Sequence, residues 1–219
     1  MSRLFSYTVR VDDGAAANPF GGICTLAICK PRIRRVAKPG DWIVGLGSSN
    51  APSGDLAGHV VYAMCVTEVH TLAEYDKLAP QKIPDITSLD MHKRLGDGIY
   101  DYSQGDRPTQ RPGVHAEGNR KTDLCGKNVL MSEDFYYFGD RAIRLPEDLL
   151  PICHQTQGQK STLNQPYFDA FVSWIHSMGL KKGQLYGRPD HVIDWNLPEG
   201  CADVRRGEWT MNMSLIVKI

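Results

Sequence analysis

Two adjacent carboxylates, Asp12 and Asp13, are followed by Asn18-Pro19 and then by Gly21-Gly22. The stretch is too long for a two-residue hairpin turn. Carboxylates accept from exocyclic amines and ring N–H groups, an Asn amide both donates and accepts, and glycine lets backbone approach a ligand. The plainer alternative is an Asx-type turn closing a wide hairpin. A second group, His115, Glu117, Asn119 and Asp123, puts an imidazole among carboxylates, a composition suited to general acid/base work. His115, Asp12 and Asp13 are the catalytic candidates. The run Phe135-Tyr136-Tyr137-Phe138 would, as a strand, point one pair of rings into the core and offer the other as a stacking platform. Packing of both pairs in the core is the competing outcome. Arg10, Asn18, Tyr136, Tyr137, His154 and Gln155 join the two aspartates as candidate ligand contacts. Arg34 and Arg35, from the basic run Lys30–Lys38, and Arg120 are candidate phosphate contacts, although such runs are commonly solvated surface.

Several chemistries lack their residues. No P-loop, dinucleotide-binding glycine pattern, kinase set or Gly-flanked nucleophile elbow is present. A metal at His115-x-Glu117 would need His154 or His59 as a third ligand, without supporting spacing. Cys153 and His154 are neighbours in an extended segment, so their side chains point apart and do not pair.

The elements that must position these residues read as follows. Phe5, Tyr7, Val9 and Val11 alternate with polar residues, the pattern of a half-buried strand over 5–12. Residues 22–30 are apolar on both alternating sets, as in a central strand. Further strands are expected over 41–47, 58–69, 128–138 and 210–218. Thr71 and Glu74 form a capping-box pattern for a short helix, and Pro146 opens another near Leu145–Leu150. Tyr167, Phe168, Phe171, Val172, Ile175 and Met178 make one apolar face of a helix over 165–178, with Gly179 to cap it. Residues 85–127 have no periodicity and too few apolar residues for a core of their own, so they read as an irregular insertion in a single domain spanning 1–219. The fold class is α+β: a curved mixed sheet or PUA-like barrel with a packed helix in the C-terminal half. The cleft is expected between the Asp12–Gly22 loop, residues 97–121 and residues 154–161.

The 219 residues carry 25 basic and 25 acidic side chains, a formal net charge of zero, which opposes coating of nucleic acid through bulk charge. No apolar run reaches membrane-span length and the first residues lack a signal core, so a cytoplasmic location and no membrane partner are expected. Six cysteines, Cys24, Cys29, Cys65, Cys125, Cys153 and Cys201, form no CxxC pair and read mostly as reduced core residues.

Several pieces together resemble a known family: Tyr7–Gly14 with Asn18-Pro19-Phe20, Cys24–Ala27, Lys38–Gly45, His115 with Val129–Ser132, and Phe135–Gly139. This pattern is similar to the second family of nucleotide modification associated domains, found in bacteria and phages. The resemblance implies a link to the synthesis or handling of modified DNA bases and carries over no catalytic residue. A weaker likeness, Lys38–Leu46 followed by Val60–Val69, is to small barrels of the PUA, ASCH and EVE type, which hold bases in a cleft; it is a fold-level analogy. The expected function is recognition or processing of a modified nucleobase or nucleotide, with a nucleotide or a nucleic acid bearing a modified base as partner. The alternatives are an enzyme on a free nucleotide or flipped base, glycosylase- or transferase-like, and a non-catalytic scaffold subunit. The sequence assigns no cofactor.

Overall fold

The computed structural model describes residues 1–154 and 159–190. The strands are β1 Leu4–Val9, β2 Cys24–Leu26, β3 Trp42–Gly47, β4 His59–Cys65, β5 Glu68–Thr71, β6 Tyr100–Asp101, β7 Thr109–Gln110, β8 Asn128–Ser132, β9 Asp134–Tyr137, β10 Ile143–Arg144, β11 Gln159–Lys160 and β12 Gln184–Leu185. The α-helices are α1 Pro31–Val36, α2 Leu72–Leu78, α3 Met91–Arg94, α4 Arg120–Leu124 and α5 Phe168–Ser177. The main sheet runs β11-β1-β3-β4-β9-β12, with β10 also on β4. It is mixed: β1 and β3 are parallel, as are β9 and β12, while β3, β4 and β9 pair antiparallel. A smaller antiparallel sheet, β2-β8-β5, lies beside it, and β6 pairs with β7. No closed barrel forms among the described residues, which settles the expected choice in favour of the curved mixed sheet.

Chain crossings explain why two expected strands are each split. Residues 58–69 become β4 and β5, broken where Val66 N–H donates to Asp41 and Thr67 N–H donates to Met131. Residues 128–138 become β8 and β9, broken at Glu133, with Ser132 Oγ donating to the Cys65 and Asp134 carbonyls. The β4–β9 and β5–β8 pairings therefore form one ribbon that leaves the main sheet and enters the smaller one. Asp41 holds the Pro39-Gly40 turn at this corner: its carboxylate accepts from Lys38 N and Arg3 N and pairs with Arg3 Nη2 at 2.6 Å.

Apolar packing falls into three clusters. Phe5, Tyr7, Val9, Ile43, Met64, Phe135 and Tyr137 pack with Leu26 and Leu130 of the smaller sheet. Leu4, Trp42, Val44, Ala63, Tyr136 and Phe138, on the opposite face of the main sheet, pack against Phe171 and Ile175 of α5. Val129 and Met131 meet Leu72 and Tyr75 of α2 together with Leu95, Ile99, Tyr100 and Val114. Residues 85–127 are thus seated by a few apolar anchors on a core that other elements supply.

The alternating strand at 5–12 ends at Val9 and is covered on both faces, not one. Ser6 is fully buried because its hydroxyl donates to the Ile152 carbonyl and accepts from Asn164 Nδ2. The strand at 22–30 shortens to Cys24–Leu26 and sits at the edge of the smaller sheet, not its centre. The α2 capping box forms as expected, with Glu74 N donating to Thr71 Oγ1 and Thr71 N to Glu74 Oε2. The helix at 165–178 begins as a 3-10 turn over Thr162–Tyr167, since Pro166 lies in it, and is α-helical over α5. The short helix near 145–150 is a 3-10 segment over Glu147–Ile152. The terminal strand expected at 210–218 lies outside the described residues. No helix among the described residues is long and apolar enough to cross a membrane.

Candidate functional site

β2 leaves the smaller sheet at Leu26, and two residues later the chain turns sharply into α1. Cys29 (φ 57°) and Lys30 (φ 39°) both occupy the left-handed region at that turn, conformations non-glycine residues rarely adopt. Pro31 then starts the helix, its fixed φ suited to that position. The turn places Cys29 against residues from the irregular 85–127 region. Its Sγ lies 3.4 Å from His115 Nε2. His115 Nδ1 lies 2.6 Å from Asp123 Oδ2, and Asp123 Oδ1 accepts from the Cys29 backbone N–H at 2.8 Å. Tyr100 OH also donates to Asp123 Oδ2, at 3.0 Å. Thiol, imidazole and carboxylate stand in one hydrogen-bonded line, the order needed to orient a ring and stabilise its charged form beside a nucleophile.

The electrostatics favour a charged imidazole. Burial alone would lower the His115 pKa, but the hydrogen bonds to Asp123 and Cys29 and the charges behind them raise it to about 10. At neutral pH His115 therefore carries a proton on both nitrogens and donates to both partners. Asp123 is 1% exposed and His115 17%, so little water screens the pair.

Arg34 ties the line together from behind. It is fully buried, and its guanidinium donates to the carbonyls of Cys29 (Nε, 2.8 Å), Asn128 (Nη1, 3.1 Å), Ala27 and Asp123. One planar side chain thereby fixes the β2–α1 turn, α4 and β8 relative to each other. Gly126 gives it room, since a Cβ there would stand 2.2 Å from Arg34 Nη2. The His115 carbonyl is held by Gln110 Nε2 at 2.6 Å.

The Asp12–Gly22 loop turns its polar groups inward. Asp12 is buried, and its two oxygens receive Tyr137 OH at 2.7 Å each. Burial raises its pKa to about 7 despite that bond. Asp13 accepts from Ala15 N at 2.9 Å. Asn18 is 1% exposed, donates to the Leu95 carbonyl at 2.7 Å and accepts from Lys82 Nζ at 2.7 Å. Its amide thus binds the loop to the 85–127 region. Deeper still, Asp97 accepts from Thr25 Oγ1 at 2.8 Å, Ala27 N at 3.2 Å and Tyr75 OH at 2.5 Å.

Among the sequence-predicted site residues, His115 stands at the centre of the Cys29 line. Tyr136 and Tyr137 are buried on opposite faces of β9, each in a different apolar cluster, so both rings serve packing. Arg34 is a buried clamp with its donors on backbone carbonyls, not a surface cation. Arg35 is exposed and lines an open groove of about 540 Å³ with Arg3, Lys38 and Asn128. Arg10 is exposed. Arg120 donates to the Pro108 carbonyl and sits 5.8 Å from the Tyr100 ring centroid. His154 is half-buried. Gln155 and Cys201 lie outside the described residues. Cys29 reads from sequence as a core thiol; the cue that sets it apart is an apolar strand running straight into Cys-Lys-Pro, a strand-to-helix turn with a thiol on it. Asp123 reads from sequence as one of the carboxylates around His115, and the structure makes it the one bonded to the ring.

The donor atoms of Cys29, His115 and Asp123 lie within 4.8 Å of one another, a spacing a metal ion could bridge. His115 Nδ1 and Asp123 already satisfy each other, which leaves Sγ and Nε2 as the available pair, fewer than a stable zinc site uses.

The model of one protein family, described as nucleotide modification associated domain 2, matches residues 1–197. No curated protein and no solved structure matches the chain significantly.

Proposed function

The chain belongs to the nucleotide modification associated domain 2 family, and from that premise we propose that it is an enzyme that transfers an acyl-type group on a modified nucleotide or base through Cys29. The observation that carries this reading is the hydrogen-bonded line Cys29–His115–Asp123. In its thiolate–imidazolium form the sulfur attacks the carbonyl carbon of a substituent on the nucleotide, forming a C–S bond. His115 gives its proton to the departing group. An acceptor amine or water then loses a proton to His115 and attacks the thioester carbon, and the C–S bond breaks. Asp123 keeps the ring in the tautomer and orientation both steps require.

Asp12 and Asp13 serve in this reading as groups that shape the neighbouring loop. A reader of modified bases without turnover would need no thiol–imidazole pair in a strained turn, and strain of this kind clusters at reacting sites.

The test is trapping. The protein is incubated with nucleotides carrying amide or ester substituents on the base, and the peptide containing Cys29 is weighed. A thioester adduct on wild type, with no product from Cys29→Ser or His115→Ala, is the expected result. Full turnover by Cys29→Ser would end the proposal.

A further inference from the structure

Lys30 follows the nucleophile directly, and its surroundings are unusual for an ammonium group. It is largely withdrawn from water, which lowers its pKa. Its Nζ lies 4.2 Å from the centroid of the Tyr7 ring and reaches only the Thr8 carbonyl, at 3.4 Å. Among the described residues no carboxylate pairs with it. Tyr7 is also the residue that β11 pairs with, through Gln159. His154 follows Cys153, whose carbonyl accepts from Lys160 Nζ, so it lies near the β11 side of this pairing, and its Nε2 is buried with no hydrogen-bond partner among the described residues. Lys160, paired with Ser6, adds a second ammonium group, anchored to the carbonyls of Pro151 and Cys153. Burial first, then the two neighbouring ammonium groups, holds His154 below its ordinary range.

An ammonium with no carboxylate and a buried imidazole nitrogen with no partner, both near the β1–β11 pairing, are costly unless something completes them. We propose that Lys30 and His154 form the anchor for a terminal phosphate group, so that the substrate of the Cys29 site is a nucleoside monophosphate. The inference rests on the thiol reading for its substrate role, while phosphate binding itself does not. A dianion between these groups would receive charge-assisted hydrogen bonds from both. It would also tether the nucleotide one residue from the attacking sulfur, with the base free to extend toward His115. The zero net charge of the chain suits a local anchor for a small anion better than a surface that tracks a polynucleotide.

The experiment measures binding to the full chain by calorimetry and thermal shift, with nucleoside monophosphates, the corresponding nucleosides and inorganic phosphate as probes. Monophosphates should bind and raise the melting temperature, nucleosides should not at equal concentration, and inorganic phosphate should compete. Lys30→Met and His154→Gln should each weaken monophosphate binding about tenfold or more. Lys30→Met should also raise the melting temperature of the ligand-free protein, because it removes an unpaired, half-buried charge; this separates loss of the anchor from loss of the fold. Cys29→Ser should bind like wild type. Equal binding of nucleoside and monophosphate, or unchanged affinity in Lys30→Met, overturns the anchor and leaves the thiol reading standing. Phosphate-dependent binding together with full turnover by Cys29→Ser does the reverse.

Discussion

Asp123→Asn isolates the source of the charge on His115. The substitution keeps size and an acceptor oxygen for His115 Nδ1 but removes the negative charge. In the wild type the imidazole titrates at about 10 against an ordinary 6.5. At 1.36 kcal/mol per unit, that difference is worth about 5 kcal/mol favouring the protonated ring. The gain exists against a burial penalty acting the other way, so the carboxylate must outweigh it. With Asn at 123 the carboxylate's share of the raise is lost while that of Cys29 remains, so the midpoint should fall from about 10 by more than one unit. The sign for stability follows. A raised folded-state pKa stabilises the protein fully below about 6.5, and that contribution disappears as pH rises through 10. Asp123→Asn should therefore shrink the decline in stability that the wild type shows between pH 7 and pH 10.5. The assay is NMR of the imidazole protons in histidine-labelled protein. The chain has seven histidines, and His115→Gln assigns the resonance. A midpoint that stays within one unit of 10 in the variant would refute the electrostatic argument, and the triad assignment with it.

Asp12 acts in the same sense but in a lower window: its carboxyl is raised from 3.8 to about 7, so stability is lost as pH climbs between those values, by about 4 kcal/mol at 1.36 per unit. Asp12→Asn, which still accepts from Tyr137, should be more stable than wild type at pH 8 and no more stable at pH 4 in urea unfolding. Arg34→Lys removes the planar fork that serves four carbonyls and should cost about 3 kcal/mol, with kcat falling more than KM changes, because the clamp positions the triad without touching substrate. Asn18→Ala strands the Leu95 carbonyl and takes one of three acceptors from buried Lys82, whose bonds to the Asn18 and Ile23 carbonyls remain, and should cost about 1–3 kcal/mol, measurable by chemical denaturation. Added zinc should inhibit by bridging Cys29 and His115, and chelation should restore the original rate without exceeding it.

Much of the scaffold was legible because it follows periodic rules. The apolar face of α5 and the Thr71–Glu74 cap each come from local spacing, and the structure uses both, whereas β1 forms but is covered on both faces. What was not legible depends on distant partners. Ser6 reads as a solvent-facing residue until Asn164 and Ile152 arrive to satisfy it. Arg34 reads as a surface cation until four carbonyls from three segments converge on it. Asn18 reads as a ligand contact, but Lys82 and Leu95 take both ends of its amide. His115 was identifiable from its acidic neighbours, whereas Cys29 was not, because a thiol at the end of an apolar strand has the same local spacing as a core cysteine. Only the left-handed turn and a remote imidazole distinguish the two.

The sulfur and the imidazole that faces it are 86 positions apart in sequence. The β2–α1 turn and α4 must both be in place before sulfur and imidazole meet, as must the stretch that has no interior of its own and leans on borrowed anchors. A chain emerging unfinished, or one in which that stretch has come loose, holds an ordinary thiol with nothing to activate it. On the proposed mechanism, reactivity at this cysteine would report that these distant segments have come together, and chemistry would begin only after assembly.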